Sequence, residues 1–171
     1  MKNTVVVGAQ FGDEGKAKIT DLLASNADFI IRYQGGCNAG HTVVVDDVKY
    51  KFHLVPSGIL YENKTCFIGA GVVIYPENFK NEIEELMAQG VKKEQFEKNL
   101  KISPLANITM PWHIDLDGAG EDNLGKNKIG TTKKGIGPTY TDKYARIGIR
   151  IEDLCNDEAL NNKLDIILPL K

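Results

Sequence analysis

The residues best suited to chemistry near the amino end form a glycine-rich segment directly after a short apolar run. This first segment reads Gly8-Ala9-Gln10-Phe11-Gly12-Asp13-Glu14-Gly15-Lys16-Ala17-Lys18. A β-branched run that ends at glycine is typical of a strand end, and residues 19–23 continue at helical spacing. Backbone N–H groups at a helix start attract anions, and a lysine there adds a point charge for phosphate. The segment therefore predicts a nucleotide-binding loop.

The first segment departs from the common P-loop pattern, which requires a glycine at position 10 and a hydroxyl at position 17. The chain has Gln10 and Ala17 there, so the usual side-chain ligand for magnesium is missing. Asp13 is the nearest hard oxygen ligand that could replace it. The alternative is a plain strand-to-helix turn with the acid as a cap, but an acid three residues before Lys16 favours the nucleotide site.

A second segment, residues 34–42, lies between the apolar runs 30–31 and 43–45 and contains three glycines, an asparagine and a histidine. Nothing in it can fill a core, and paired glycines permit close approach to a ligand. We therefore expect His41 to be an acid or a phosphate contact. His53 and His113 lack such a setting, and we expect both to be structural.

A third segment, residues 130–146, combines paired hydroxyls, paired lysines and three glycines before Pro138. Backbone N–H, hydroxyl and ammonium groups together suit anion binding. Taken alone, the segment is equally compatible with a solvated basic loop.

In order along the chain, the three segments resemble the adenylosuccinate synthetase family. That family's first loop usually reads Q-W-G-D-E-G-K-G-K, its second G-G-x-N-A-G-H-T, and its third G-T-T-x-[RK]-G-I-G-P-x-Y-x-D-K. The chain matches them at residues 10–18, 35–42 and 130–143. Phe11 replaces the family's tryptophan and Ala17 its glycine, and neither position is expected to take part in the reaction.

The resemblance implies the GTP-dependent ligation of IMP and L-aspartate to adenylosuccinate, GDP and phosphate through a 6-phosphoryl-IMP intermediate. It also implies Mg²⁺, GTP as co-substrate, a cytoplasmic location and a homodimer. Catalysis is expected from Asp13 and His41, and magnesium binding from Asp13 and the Gly40 carbonyl. Expected GTP contacts are Gly12, Asp13, Glu14, Gly15, Lys16, Ala17, Lys18, Gly40, His41 and Thr42. Expected IMP contacts are Asp13, Lys16, Asn38, Ala39, Gly40, His41, Thr132 and, from the partner subunit, Arg146.

Apolar periodicity predicts an α/β fold, a mostly parallel sheet with flanking helices and ligands at the carboxyl ends of the strands. The resemblance makes this architecture P-loop-NTPase-like. We expect a hairpin turn at Asp46-Asp47, a surface helix after Pro76 with its acids opposite the apolar face, and a loop or frayed helix end at 118–125. Predicted strands are 4–7, 28–32, 42–46, 48–55, 66–69 and 99–102. Predicted helices are 16–25, 76–89, 112–120 and 157–166.

Bulk composition indicates a globular protein. The net charge of −2 and the 42% hydrophobic content suggest neither nucleic acid nor a membrane as a partner. No signal peptide or membrane span is expected, and three cysteines without metal spacing indicate free thiols.

The chain is much shorter than family members, and its end is an apolar stretch without a capping glycine. We therefore expect residues 1–171 to be the amino-terminal portion of a single GTP- and IMP-binding domain, inactive alone. Two alternatives stay open: a non-catalytic purine-nucleotide module and a GTP-binding switch. The absence of N-K-x-D and of an early D-x-x-G argues against the switch.

Overall fold

The computed structural model describes residues 3–10, 15–123, 125–127 and 130–171. Its sheet contains β1 (Phe29–Gly35), β4 (Thr65–Ile74), β5 (Leu100–Ile102) and β6 (Asn107–Ile108), and all pairings among them are parallel. The ten-residue β4 lies at the centre, between β1 and β5, and its last two residues also pair with β6. The expected mostly parallel sheet is confirmed.

Six α-helices accompany the sheet in the described part of the chain. Two of them lie between β4 and β5 in sequence and form the crossover connection that this parallel pair requires. The helices are α1 (Lys16–Ala24), α2 (Pro76–Ala88), α3 (Lys93–Asn99), α4 (Pro111–Asn123), α5 (Ile136–Tyr144) and α6 (Asp157–Ile167). Short 3₁₀ turns occupy Ser57–Leu60, Gly125–Asn127, Ile151–Cys155 and Leu168–Leu170.

A separate antiparallel hairpin joins β2 (His41–Val45) to β3 (Val48–Phe52). Asp46 and Asp47 make its turn with φ of 49° and 64°. Two successive positive φ values match the twist of the flanking strands, and aspartate tolerates them better than most residues. The predicted hairpin is therefore confirmed.

Two apolar clusters form the core. One packs Ile30 of β1, Val43 and Phe52 of the hairpin and Leu86 of α2. The other packs the far part of β4 with Ile108, Ile149 and Ile167. The first cluster fixes the hairpin against β1 and α2, and so determines where the second segment lies.

The predicted strand at 4–7 is wrong. The run has the β-branched residues that favour a strand, yet the described strands offer it no pairing, and Val5 and Val7 are 76% and 66% exposed. The predicted strand at 48–55 ends early, at Phe52, because the N–H groups of residues 53–55 bind a side chain instead of a neighbouring strand.

Other differences concern length and omission. The sequence did not predict α3, α5 or β6. The segment 118–125, expected as a loop or frayed end, is helical to Asn123, and Leu124 lies outside the described residues. In β1 and β4 the strands continue beyond their predicted ends, to Gly35 and Ile74.

Tyr140 of α5 connects the edge strand β1 to the central strand β4. The N–H of Gly35 donates to its hydroxyl at 2.7 Å, and that hydroxyl donates to the carbonyl of Gly71 at 2.8 Å.

We expect Tyr140→Phe to lower the free energy of unfolding by about 1–3 kcal/mol, because both backbone groups lose their partner. Chemical denaturation measures this. Tyr144→Phe, at a side chain 77% exposed, is the control and should change little; an equal effect of both would contradict the assignment.

Candidate functional site

The structure describes the first segment at residues 8–10 and again from Gly15 onward. Gly15 immediately precedes α1 and has φ of 76°, so the residue before the helix is in the left-handed conformation. The expected site residues Gly12, Asp13 and Glu14, and also Phe11, lie outside the described residues. Lys16, Ala17 and Lys18 form the first turn of α1, where main-chain N–H groups and the helix dipole favour an anion.

The second segment turns at Gly36 and Cys37, which are buried, and then presents Asn38, Ala39 and Gly40 to solvent. The backbone at Gly36 is closely packed, since a Cβ there would lie 2.5 Å from the Cδ1 of Ile136 and 3.0 Å from a methyl group of Val73. The guanidinium of Arg32 donates to the Gly36 carbonyl at 2.6 Å. A buried anchor therefore supports an exposed loop.

His41 begins β2 opposite Phe52, and the two rings stack with centroids 5.5 Å apart and planes at 19°. Burial, the positive charge of Arg32 and the neighbouring His53 lower the pKa of His41 to about 4. The imidazole is therefore neutral near pH 7, and carries one N–H donor and one acceptor nitrogen.

His53 lies at the site, where the sequence predicted a structural residue. Its Nδ1 is 3.3 Å from the Ala39 carbonyl oxygen, and a Cβ on Gly40 would lie 2.8 Å from its Cε1. A cavity of about 180 Å³ is lined by Gly40, His41, Thr42, Lys51, Phe52 and His53. Both imidazoles therefore border the same small cavity beside the second segment.

The third segment is tied to α4 at two points. The N–H of Gly130 donates to Glu121 Oε1 at 2.6 Å, and the N–H of Gly135 donates to Asp117 Oδ2 at 2.9 Å. Between these anchors Thr132 is exposed. Two acidic side chains thus hold a loop whose own composition suits an anion.

A lysine joins the third segment to the second. Lys134 Nζ donates to the carbonyl of Cys37 at 2.8 Å, and α5 begins beside Gly36. The structure therefore brings together two segments that are about a hundred residues apart in sequence, as a shared site requires.

Arg146 lies away from that junction, at the carboxyl end of α5, with φ of 65° and its side chain exposed. It borders a cavity of about 310 Å³ with three further cations, Lys143, Arg150 and Lys163. Among the described residues, the structure does not bring Arg146 to the other expected IMP contacts of the same chain.

His113 is structural, as predicted. It is 1% exposed, its Nδ1 accepts from the Met110 N–H at 2.9 Å, and its Nε2 lies 2.8 Å from Asp142 Oδ2. Burial lowers its pKa, and Asp142 opposes that effect. The three cysteines are free thiols.

No helix in the described part of the chain is both long and apolar enough to cross a bilayer. No group of three or more metal-ligating His, Cys, Asp or Glu side chains occurs in the same part of the chain.

Sequence reasoning missed Arg32, Glu82 and Lys134. Arg32 lies on the same side of β1 as the buried Ile30. A charged residue is unusual on the core-facing side of a strand. Glu82 was expected on the solvent face of α2 but is 3% exposed, three residues after Phe79 and four before Leu86 on the buried face. Side chains alternate along a strand and recur every three to four residues along a helix, so counting positions from the buried neighbours could have placed both charges on core-facing sides.

The low pKa of His41 gives a testable pH dependence. We expect its imidazole to titrate near pH 4 instead of at the ordinary value of 6.5. Because the folded state favours the neutral ring, His41 lowers the free energy of unfolding as pH falls from about 6.5 to about 4. Ring NMR measures the midpoint, and the acid loss of stability should be smaller in His41→Asn. A midpoint near 6.5 would contradict the assigned environment.

Comparison with known proteins identifies relatives over the whole chain. The family model described as adenylosuccinate synthetase matches residues 5–171. Adenylosuccinate synthetase of Prochlorococcus marinus is 56% identical over 171 residues, which are 100% of this chain and 38% of that relative. The Brachyspira hyodysenteriae protein of the same name is 53% identical over 171 residues, 100% of this chain and 39% of its own length.

A solved structure agrees with the sequence relatives. The fully ligated adenylosuccinate synthetase from Plasmodium falciparum superimposes with a TM-score of 0.82 and 41% identity, and the match covers 95% of this chain and 37% of that one. The chain thus spans about two fifths of the length of the relatives it matches.

Proposed function

This chain belongs to the adenylosuccinate synthetase family, and we propose that the whole protein ligates IMP and L-aspartate, coupled to transfer of the γ-phosphoryl group of GTP. The products are adenylosuccinate, GDP and inorganic phosphate. The observation that carries the proposal is the junction of the second and third segments through Lys134 Nζ and the Cys37 carbonyl, 2.8 Å apart. It joins the loop with Asn38 and His41 to the loop with Thr132.

The first chemical step activates a poor leaving group. Asp13 takes the N1 proton of IMP, which makes the 6-oxygen nucleophilic. That oxygen attacks the γ-phosphorus of GTP, an O6–P bond forms, and the bond from phosphorus to the leaving GDP oxygen breaks. His41, neutral because its pKa is about 4, donates an N–H hydrogen bond to the phosphoryl group and gives up no proton.

In the second step the aspartate nitrogen replaces the phosphorylated 6-oxygen at C6 of the purine. The neutral amine of L-aspartate attacks C6 of 6-phosphoryl-IMP, a C–N bond forms, the C6–O bond breaks, and the nitrogen loses one proton, which leaves with the phosphate. Inorganic phosphate leaves with the original 6-oxygen of IMP. His41 hydrogen-bonds this departing phosphate, as it does the phosphoryl group before it.

The remaining expected contacts hold the two nucleotides. Lys16 and the main-chain N–H groups of residues 15–18 bind GTP phosphates at the start of α1, while Asn38 and Thr132 bind the IMP phosphate. The Asp13 carboxylate and the Gly40 carbonyl are hard oxygen ligands, which fits Mg²⁺, and Gly40 is exposed beside His41. Bound magnesium would neutralise charge on the GTP phosphates.

An isotope experiment tests the activity and the intermediate together. The whole protein is incubated with Mg²⁺, GTP, L-aspartate and IMP carrying oxygen-18 at position 6. We expect mass spectrometry to find adenylosuccinate and, in equal amount, inorganic phosphate with one oxygen-18. Unlabelled phosphate would contradict the phosphorylated intermediate, and nucleotide binding without product would support a non-catalytic module instead.

A further inference from the structure

A buried carboxylate and a partly buried guanidinium hold the backbone N–H and the backbone carbonyl of His53. Its N–H donates to Glu82 Oε1 at 2.7 Å, and its carbonyl accepts from Nη1 of Arg32. Glu82 belongs to α2 and Arg32 to β1. A single residue after the hairpin is therefore fixed by a helix on one side and by the sheet on the other.

Glu82 does more than bind one amide. Its carboxylate also accepts from the N–H of Leu54, at 2.8 Å to Oε2, and from the N–H of Val55, at 3.0 Å to Oε1. Three successive amides point at one side chain that is 3% exposed. Hydrogen bonds to an ionised acceptor are roughly twice as strong as neutral ones, and glutamine offers only one acceptor oxygen to these three donors.

Arg32 also binds the second segment. Its second terminal nitrogen donates to the Gly36 carbonyl at 2.6 Å, so that one planar guanidinium joins the start of the second segment to His53. A lysine could not reproduce this pair of directed bonds, because its single ammonium group lacks the fixed fork of a guanidinium.

The His53 ring contacts the part of the second segment that directly precedes His41. It packs against Gly40, where a Cβ would lie 2.8 Å from its Cε1, and its Nδ1 is 3.3 Å from the Ala39 carbonyl oxygen. Gly40 directly precedes His41. The contacts form one chain from Glu82 and Arg32, through His53, to the two residues before His41.

We propose that Arg32 and Glu82 are positioning residues, which clamp the His53 peptide and thereby fix the loop that presents Gly40 and His41. Their importance for turnover rests on the proposed function, whereas the clamp itself is independent of it. Because catalysis depends on placement within about 1 Å, loosening the clamp affects the chemical step more than nucleotide affinity.

Glu82→Gln in the whole protein tests the clamp. We expect kcat to fall by about 10- to 100-fold, while KM for IMP and GTP changes by less than about threefold. Amide hydrogen exchange should accelerate in residues 53–55 and also in 36–41. Glu85→Gln, the same chemical change at an exposed position of α2, is the control and should match wild type in all three measurements.

A second control separates positioning from general stability. Asn99 is 5% exposed, and its amide donates to the Glu62 carbonyl at 2.9 Å, away from the hairpin. Asn99→Ala should lower the unfolding temperature and leave kcat at the wild-type value. The proposal is overturned if Glu82→Gln accelerates exchange only in 53–55 and keeps wild-type kcat. It is equally overturned if Asn99→Ala, at the same loss of stability, reproduces the fall in kcat.

Combining Glu82→Gln with Arg32→Lys asks whether the two charges act through one peptide. If they do, the double variant should be no slower than the slower single variant by more than about threefold, whereas independent effects would multiply. A multiplicative loss overturns the shared clamp. If wild type makes no adenylosuccinate, the proposed function fails, and exchange in 36–41 still decides the clamp.

Discussion

Replacing Asp13 with asparagine should lower kcat of the whole enzyme by about two to four orders of magnitude, the usual contribution of a positioned general base. The amide keeps the shape of the carboxylate and one acceptor oxygen, but it cannot take the N1 proton of IMP. Binding of IMP should therefore weaken much less than turnover. Steady-state kinetics with each nucleotide varied in turn separate the two effects.

The matched control for this variant is Asp28→Asn. Asp28 is an exposed acid in the turn between α1 and β1, so the same loss of charge occurs without contact to the site. We expect wild-type turnover there. If Asp13→Asn kept more than about a third of wild-type turnover, far above the range for a lost general base, Asp13 would not be the base.

Local sequence rules predicted those parts of the site that depend on local conformation. The glycine-rich first segment indicated the start of α1 at position 16, and Asp46-Asp47 indicated the hairpin turn, because few residues accept positive φ. Helices α1, α2 and α6 followed from apolar spacing and lie within two residues of their predicted ends. The resemblance of three motifs added the family and its chemistry.

Long-range contacts explain what local rules missed. The run at 4–7 has strand propensity, but a strand also needs a partner, and no local rule supplies one. His53 looked ordinary because its neighbours in sequence are those of β3, whereas its role comes from Arg32 and Glu82, 21 and 29 residues away. Likewise, the bond from Lys134 to the Cys37 carbonyl spans 97 residues. Such pairs become visible only when the chain is folded.

The location of Arg146 supports a shared site between two subunits. Helix α5 has nine residues, about 13 Å at 1.5 Å per residue. That length separates Arg146 from the start of α5, next to Lys134, which joins the third segment to the second. Lys143, Arg150 and Lys163 beside it each bind a carbonyl or carboxylate. Within the described residues the Arg146 guanidinium makes no such bond, so we propose that it binds the IMP phosphate of a partner subunit.

Mixing two inactive variants of the whole protein tests this arrangement. Asp13→Ala and Arg146→Leu are each purified, combined under conditions that exchange subunits, and assayed for adenylosuccinate. In a two-fold dimer with shared sites, every mixed dimer has one site with both residues intact. Random exchange makes half of the dimers mixed, so about a quarter of wild-type activity should return. Each variant taken through the same exchange alone should stay inactive. If proven heterodimers recover no activity, Arg146 serves its own subunit's site or takes no part in the reaction.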